Sequence, residues 1–522
     1  MKPERRCIVL DGPIPETTRR EDGELSVRYS RKGMNMSKAR FTALAAALVL
    51  LAATGCSCRK TEGSLQVNLY PVSAVEAGAQ WRVDGGDWQD SGATVPGLSA
   101  GTHPVTFKDI AGWTSPEPQD ALIAAEEARV LTAEYTEIPP SWHTVELPAG
   151  LGDVIPMDID MPASGGGWIV GIELGSEKAA PRAVFEGEGL FEGEIEVPTP
   201  PATTGLVLRR TSTGWSKASL PELGANWGLY AASGHSAANG WTVGGDFTVP
   251  PLEVSLEGEG EDVSKALDGY DGTKEAPATP YGAVALRDPG TGILEGTTNA
   301  NSYVLTAVAA VGSQDLWVAT PMGLQRLTNG VWSDEVLPPD IETIQGLAFL
   351  GADDGWVVGG RTTPDGTAGA VLRRSAGAWT AAQLPALTVP WEVLGITALP
   401  GGEAWAVGQS TDETALTRTG VLLHCTGGAW QTVAPPAVSA NWYLEAVSFP
   451  TVNEGWAAGT DLIAHAGIIL HYKDGGWTVA DLPVPGGGNW TLVGVSFATS
   501  ADGWAVGYDN ANEKMLVFQY GP

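Results

Sequence analysis

"ADGWAVGYD" (Ala501–Asp509), "NEGWAAGTD" (Asn453–Asp461) and "DDGWVVGG" (Asp353–Gly360) spell the same short phrase, Gly-Trp-x-x-Gly, at intervals of about fifty residues. The motif tryptophan recurs at Trp168, Trp241, Trp317, Trp356, Trp405, Trp456 and Trp504, with gaps of 73, 76, 39, 49, 51 and 48 residues. Self-similarity at this period is the mark of a repeat architecture whose units stack, each too small to bury its own apolar surface.

The unit is clearest in "NWYLEAVSFPTVNEGWAAGTDLIAHAGIILHYKDGGWTVADLP" (Asn441–Pro483). Turn residues divide it into four strands, expected at 443–449, 455–459, 467–472 and 476–482, as an antiparallel meander requires. A second tryptophan marks the fourth strand at Trp215, Trp332, Trp379, Trp430 and Trp477, with Ile293 in that place in the second unit. Four strands in about fifty residues match a propeller blade, so seven copies predict a seven-bladed β-propeller over 141–522. The seventh unit runs out at "KMLVFQYGP" without a fourth strand, and "SWHTVELP" (Ser141–Pro148) carries the missing tryptophan and Leu-Pro ending. The N-terminal segment is therefore expected to complete the last blade and close the ring, removing two unpaired sheet edges.

Blades packed face to face need large apolar anchors, and burial of an aromatic side chain is worth about 3 kcal/mol. The Gly-Trp positions read as such anchors. Trp227, Trp391, Trp442 and Trp490 stand where loops enter the ring; they are either core or a platform for stacking on sugars or bases. Third strands carry Arg209, Arg287, Arg326 and Arg373 at one repeated place, followed by His424, His471 and Gln519 in the last three. These cations either pack on tryptophan faces or form a basic ring for an acidic segment of a partner. His424 and His471 alone make no metal site.

The repeat resembles the BNR/Asp-box group of propellers, which includes sialidases and photosystem II assembly-factor propellers, through "DGWAVG" followed by "GIILHYKDGGW". The strict Asp-box is absent, and "CTGGAW" and "KDGGW" are degenerate forms of it. The resemblance implies fold more than function. A sialidase would need an arginine cluster, a tyrosine nucleophile and an acid, whereas the arginines here repeat around the ring. No Gly-x-Ser-x-Gly, phosphate loop or zinc motif occurs, and catalysis is not expected.

Two units are lengthened between their second and third strands, by "VFEGEGLFEGEIEVPTPP" (184–201) and "LEVSLEGEGEDVSKALDGYDGTKE" (252–275). Runs of this composition solvate rather than pack. Leaving equivalent places in adjacent blades, they emerge on one face. They offer an acidic patch of Glu186, Glu188, Glu192, Glu194, Glu257, Glu259, Glu261 and Asp262 to a basic partner or to divalent cations. No cofactor is expected elsewhere; calcium is the ion these loops would take, although "DGYDG" lacks EF-hand spacing.

Upstream, "GSLQVNLYP", "GAQWRVDGG", "GTHPVTFKD" and "ARVLTAEYT" alternate as strands of a small antiparallel sandwich over 63–137, with Trp81 and Trp113 expected in its core. This module is similar to the PEGA-like repeats of bacterial surface proteins, which implies a spacer or adhesive role. "MSKARFTALAAALVLLAATGCSC" (36–58) has the charged, apolar and small-residue regions of a signal peptide over 36–55. Its ending resembles a bacterial lipobox, which implies acylation of Cys56, a tether over 56–62 and an outer-membrane address; a plain secretory signal is the other reading. Residues 1–35 read as an over-long gene start.

The chain has 522 residues, 68 Gly, 20 Trp, 17% charged residues and a net charge of −31. Such an acidic balance argues against nucleic acid and anionic membrane surfaces as partners, since both select basic patches. Expected from all this is an all-β, monomeric, non-enzymatic envelope lipoprotein that binds an unknown protein or glycan. The alternative is a divergent sialidase-like hydrolase acting on glycans.

Overall fold

The computed structural model describes residues 62–175, 182–183, 195–196, 203–211, 214–223, 226–236, 239–246, 282–291, 294–299, 304–387, 390–485 and 488–522, with short strands at Thr17–Arg19 and Leu25–Val27. The chain divides into two compact units, and residues 109–115 and 135–522 make up the larger. Among the described residues no helix is long and apolar enough to cross a membrane. Cys56, the expected signal peptide, 252–275 and nearly all of 184–201 lie outside the described residues.

The smaller unit holds two sheets. In one, Glu62–Tyr70 runs between Thr94–Ser99 and the parallel strand Ala128–Glu134; in the other, Gln80–Val83 and Gly101–Phe107 are central. The two-residue period puts Leu65, Val67 and Leu69 on the buried face, against Trp81, Val105 and Ile123. Trp113 departs from expectation. It is only half-buried, and its strand Trp113–Thr114 pairs with Thr136–Glu137 inside the larger unit.

In the larger unit the repeat is realised sheet by sheet. Among the described residues seven four-stranded antiparallel sheets follow one another, with first strands Asp153–Asp160, Trp227–Ser236, Ala307–Gly312, Thr343–Gly351, Trp391–Leu399, Trp442–Thr451 and Trp490–Thr499. We number them sheets 1 to 7. Sheet 6 is typical: Trp442–Thr451, Glu454–Asp461, Ala466–Lys473 and Gly476–Val479. Sheet 7 takes its fourth strand from the other end of the unit, where Ser141–Thr144 pairs antiparallel with Lys514–Gly521 in the register Ser141↔Gly521 to Thr144↔Phe518. The Val145 N–H extends this ladder to the Val517 carbonyl at 2.9 Å.

Each first strand packs beside that of the next sheet, and the first strand of sheet 7 packs beside that of sheet 1. The apolar cores lie between sheets rather than within them. Leu206, Leu208 and Trp215 of sheet 1, for example, share a cluster with Trp504, Val506 and Val517 of sheet 7. Trp168, Trp317, Trp405 and Trp456 are at most 1% exposed. Fourth-strand tryptophans meet the motif tryptophan of the preceding sheet edge-on: Trp430 on Trp356 at 5.4 Å, Trp477 on Trp405 at 5.5 Å, and Trp215 of sheet 1 on Trp504 of sheet 7 at 5.2 Å. Edge-to-face pairs at this spacing add to the burial.

Both glycines of the motif have a steric cause. In sheets 4, 6 and 7 a Cβ on the first (Gly355, Gly455, Gly503) would overlap the ring of Phe349, Phe449 or Phe497. The second lies opposite a bulge in the first strand, such as that between Leu444 and Ala446. There the bulged backbone turns a carbonyl into the space a side chain would fill, and a Cβ on Gly459 would overlap the Tyr443 oxygen. Sheet 3 is the exception in both respects. Its register is unbroken from Ala307 to Ala310, and Thr320 stands where the other motifs carry glycine.

Candidate functional site

The seven third-strand positions lie directly opposite the motif tryptophans, as Trp168↔Arg209, Trp241↔Arg287, Trp317↔Arg326, Trp356↔Arg373, Trp405↔His424, Trp456↔His471 and Trp504↔Gln519. In sheets 3 to 6 the side chain is held within its own sheet. Arg326 lies 5.0 Å from the Trp317 ring centre and makes a two-pronged pair with Asp315 at 2.9 and 2.6 Å. Arg373 lies 4.6 Å over Trp356 and pairs with Asp354. The rings of His424 and His471 stack on Trp405 and Trp456 at 4.0 and 4.5 Å, and their Nε2 atoms meet Glu403 and Glu454 at 2.8 and 3.0 Å. In each case the acid sits two residues before the tryptophan, so the phrase Asp/Glu-x-Trp carries both counter-ion and stacking surface.

Sheets 1 and 7 vary the scheme. Arg209 pairs at 3.0 Å with Asp288 of sheet 2, which also accepts the Trp168 indole N–H at 3.0 Å and the Gly290 N–H at 2.7 Å. Gln519 carries no charge, and Arg210 of sheet 1 takes over at Trp504: its guanidinium lies 4.8 Å from the ring centre and meets Asp502 at 2.8 Å.

Trp227, Trp391, Trp442 and Trp490 are not a stacking platform. They are 3%, 6%, 3% and 2% exposed, each opening a first strand with its ring against a glycine of the preceding sheet's third strand. A Cβ on Gly205, Gly369, Gly420 or Gly467 would overlap that ring. The eight acidic residues of the two insertions lie outside the described residues.

What sequence reasoning missed is the channel between the first strands, a cavity of about 470 Å³. Bulge residues contribute Met157, Tyr230, Gln345, Leu394, Glu445 and Val493 to its wall, and Asp158 and Asp160 also line it. Asp158 accepts the N–H of Ile159 at 2.8 Å and of Ala232 at 2.9 Å; Asp160 accepts that of Gly234 at 2.6 Å. Although each keeps some contact with the channel, protein surrounds it on nearly all sides. Burial pushes the Asp158 carboxyl up to about 7, against the Ala232 N–H and helped by the charge of Asp160. It pushes Asp160 up to about 6, against the N–H groups of Gly234 and Met161. Glu445 rises to about 7 for the same reason, opposed by the Tyr443 hydroxyl and by Arg418, whose guanidinium lies 5.1 Å from the Tyr443 ring centre. The sequence signal was acidic residues in first strands, in "DVIPMDID" and "WYLEAVSF", at places where other repeats are uncharged. Among the described residues no three His, Cys, Asp or Glu side chains group as a metal site.

Repeated four-stranded meanders packed face to face around a channel make a known architecture. The larger unit is a β-propeller. No protein-family model matches the chain, and no curated protein matches it. Among solved structures it is similar to YCF48 bound to D1 peptide (14% identity, 74% of this chain and 100% of that one, TM-score 0.43). It is also similar to a catalytically inactive virginiamycin B lyase from Staphylococcus aureus (15%, 73% and 99%, 0.43) and to a GH74 xyloglucanase from Xanthomonas campestris (13%, 72% and 55%, 0.42). At these identities the likeness is one of fold and extends to no residue of the site.

Proposed function

We propose that residues 141–522 form a seven-bladed propeller closed by its N-terminal strand, and that it works as a non-enzymatic binding or scaffold module for a protein or glycan. In this reading the chain is held at a bacterial cell envelope, at the outer membrane, through lipidated Cys56, with the smaller unit as a spacer. The observation that carries it is the commitment of the repeated cations. Arg209, Arg326, Arg373, His424 and His471 each already meet a carboxylate of the sheets, and their side chains are largely covered. What remains for a partner is the face where first strands begin, with the channel mouth and the loops joining second to third strands, from which both acidic insertions depart.

Capture of envelope proteins and glycans by the purified mature chain, with and without 184–201 and 252–275, tests this reading. A partner lost with the insertions supports the acidic face, and an unchanged set removes it. The three channel carboxyls that hold protons near neutrality favour a second reading, a divergent glycan hydrolase with Glu445 as acid. Turnover of a panel of fluorogenic glycosides that is abolished in Glu445→Gln would replace the binding reading by that one.

A further inference from the structure

Opposite the motif tryptophans, the first strands carry Asp160, Ser233, Ala309, Ala348, Thr397, Ser448 and Ser496. Three of the serines bridge to the first strand of the following sheet. The Ser233 oxygen accepts the Ala310 N–H at 3.0 Å, Ser448 that of Phe497 at 3.0 Å, and Ser496 that of Met161 at 2.9 Å. Between sheets 1 and 2 the same bridge is made by a carboxylate, Asp160 to the Gly234 N–H, and doubled by Asp158 to the Ala232 N–H. A hydroxyl can serve as such a bridge at any pH, whereas a carboxylate brings a charge with it.

Among the described residues nothing basic answers that charge. The titratable groups of the channel wall are Asp158, Asp160, Tyr230 and Glu445, with no Lys, Arg or His. On the neighbouring second strand, Glu173 lies opposite Val154 and pairs with Lys217. On sheet 7, Tyr508 interacts with Asp153 and Asp509, and in the first strand of sheet 2, His235 is exposed.

We propose that the seam between sheets 1 and 2 is a pH-responsive joint: on mild acidification Asp158 and Asp160 take up protons, and the folded joint gains stability that it loses again as the pH rises. The sign follows from linkage. Both carboxyls titrate higher folded than unfolded, so the folded state binds more protons over the interval between. Stability is then full below the unfolded value and is lost as pH rises through about 6 and about 7. This inference is independent of what the propeller binds.

The test compares unfolding of the full chain with that of an Asp158→Asn/Asp160→Ser double variant from about pH 5 to about pH 8. In the wild type the folded-to-unfolded ratio should fall up to about tenfold per pH unit for each carboxyl, and the variant should lose most of that slope. Parallel pH profiles overturn the proposal. A second measurement needs no variant: hydrogen exchange of the Ala232 and Gly234 amides in the wild type, referred to the serine-held amides of Ala310 and Phe497. Protection of the first pair should fall relative to the second as pH rises, and a constant ratio overturns the joint.

Discussion

Replacing Gly459 by alanine tests the account of the repeated phrase directly. The new Cβ would overlap the Tyr443 carbonyl oxygen and lie 2.7 Å from Leu444 Cα and 2.8 Å from the Tyr443 carbonyl carbon. All three obstacles are backbone, so no rotamer change relieves them. The first strand of sheet 6 must flatten its bulge, and Glu445 and the ladder beside it must shift. Overpacking of a well-filled interior typically costs 1–3 kcal/mol; a backbone clash belongs at the upper end, so we expect about 3 kcal/mol. Gly476→Ala is the control, with the same chemical change in the same sheet but nothing within 4 Å of the new atom. It should be close to neutral, or slightly stabilising through the unfolded chain. Urea midpoints and slopes for both variants, followed by tryptophan fluorescence, give the comparison. Gly459→Ala unfolding at the midpoint of Gly476→Ala would refute the bulge explanation.

Trp142→Ala should destabilise by about 3–5 kcal/mol, the usual loss for a large buried aromatic, because Trp142 is 6% exposed and meets Phe497 edge-on at 5.7 Å; thermal melts of the full chain check this. A double-mutant cycle on Arg210 and Asp502 should give a coupling of no more than about 1 kcal/mol, since both side chains retain contact with water. A larger value would mean the seam depends on that pair. His471 titrates below its ordinary value because it is buried, with Glu454 opposing. Its contribution is therefore present above the unfolded value of 6.5 and lost as pH falls through the lower folded one. His471→Gln, which copies Gln519 of sheet 7, should lose less stability than wild type between about pH 7 and about pH 5 in denaturant titrations.

The period of the tryptophans was enough to place the four-stranded sheets of the larger unit, because a buried ring at a fixed place in each unit is a local property repeated in the sequence. The pairing of 141–144 with 514–521 was legible for the same reason, as a gap in one copy matched by a surplus elsewhere. Trp227, Trp391, Trp442 and Trp490 were harder, since the start of a strand marks position and not cover. Yet their cover was written in the chain, in the glycines of "TGLVLRR", "AGAVLRR", "TGVLLHC" and "AGIILHY". The channel acids escaped because each bulge resets the two-residue alternation, so inward and outward positions cannot be counted through it. Trp113 was misplaced by a division between units that cuts across the sandwich sequence and has no compositional mark.

The strand at Ser141–Thr144 is made long before its partner Lys514–Gly521. Pairing across such a sequence separation is slow, because loop closure must precede any gain from the contact. Until Phe497 and Tyr520 have been made, Trp142 lacks the rings that cover it, and the seam between sheets 1 and 7 lacks Met515 and Val517. Loss of Lys514–Gly521 would remove more than one strand: it would uncover apolar surface at both ends of the repeat. The two ends of the repeat thus protect each other, and a chain interrupted between them carries exposed aromatic surface of the kind that aggregates.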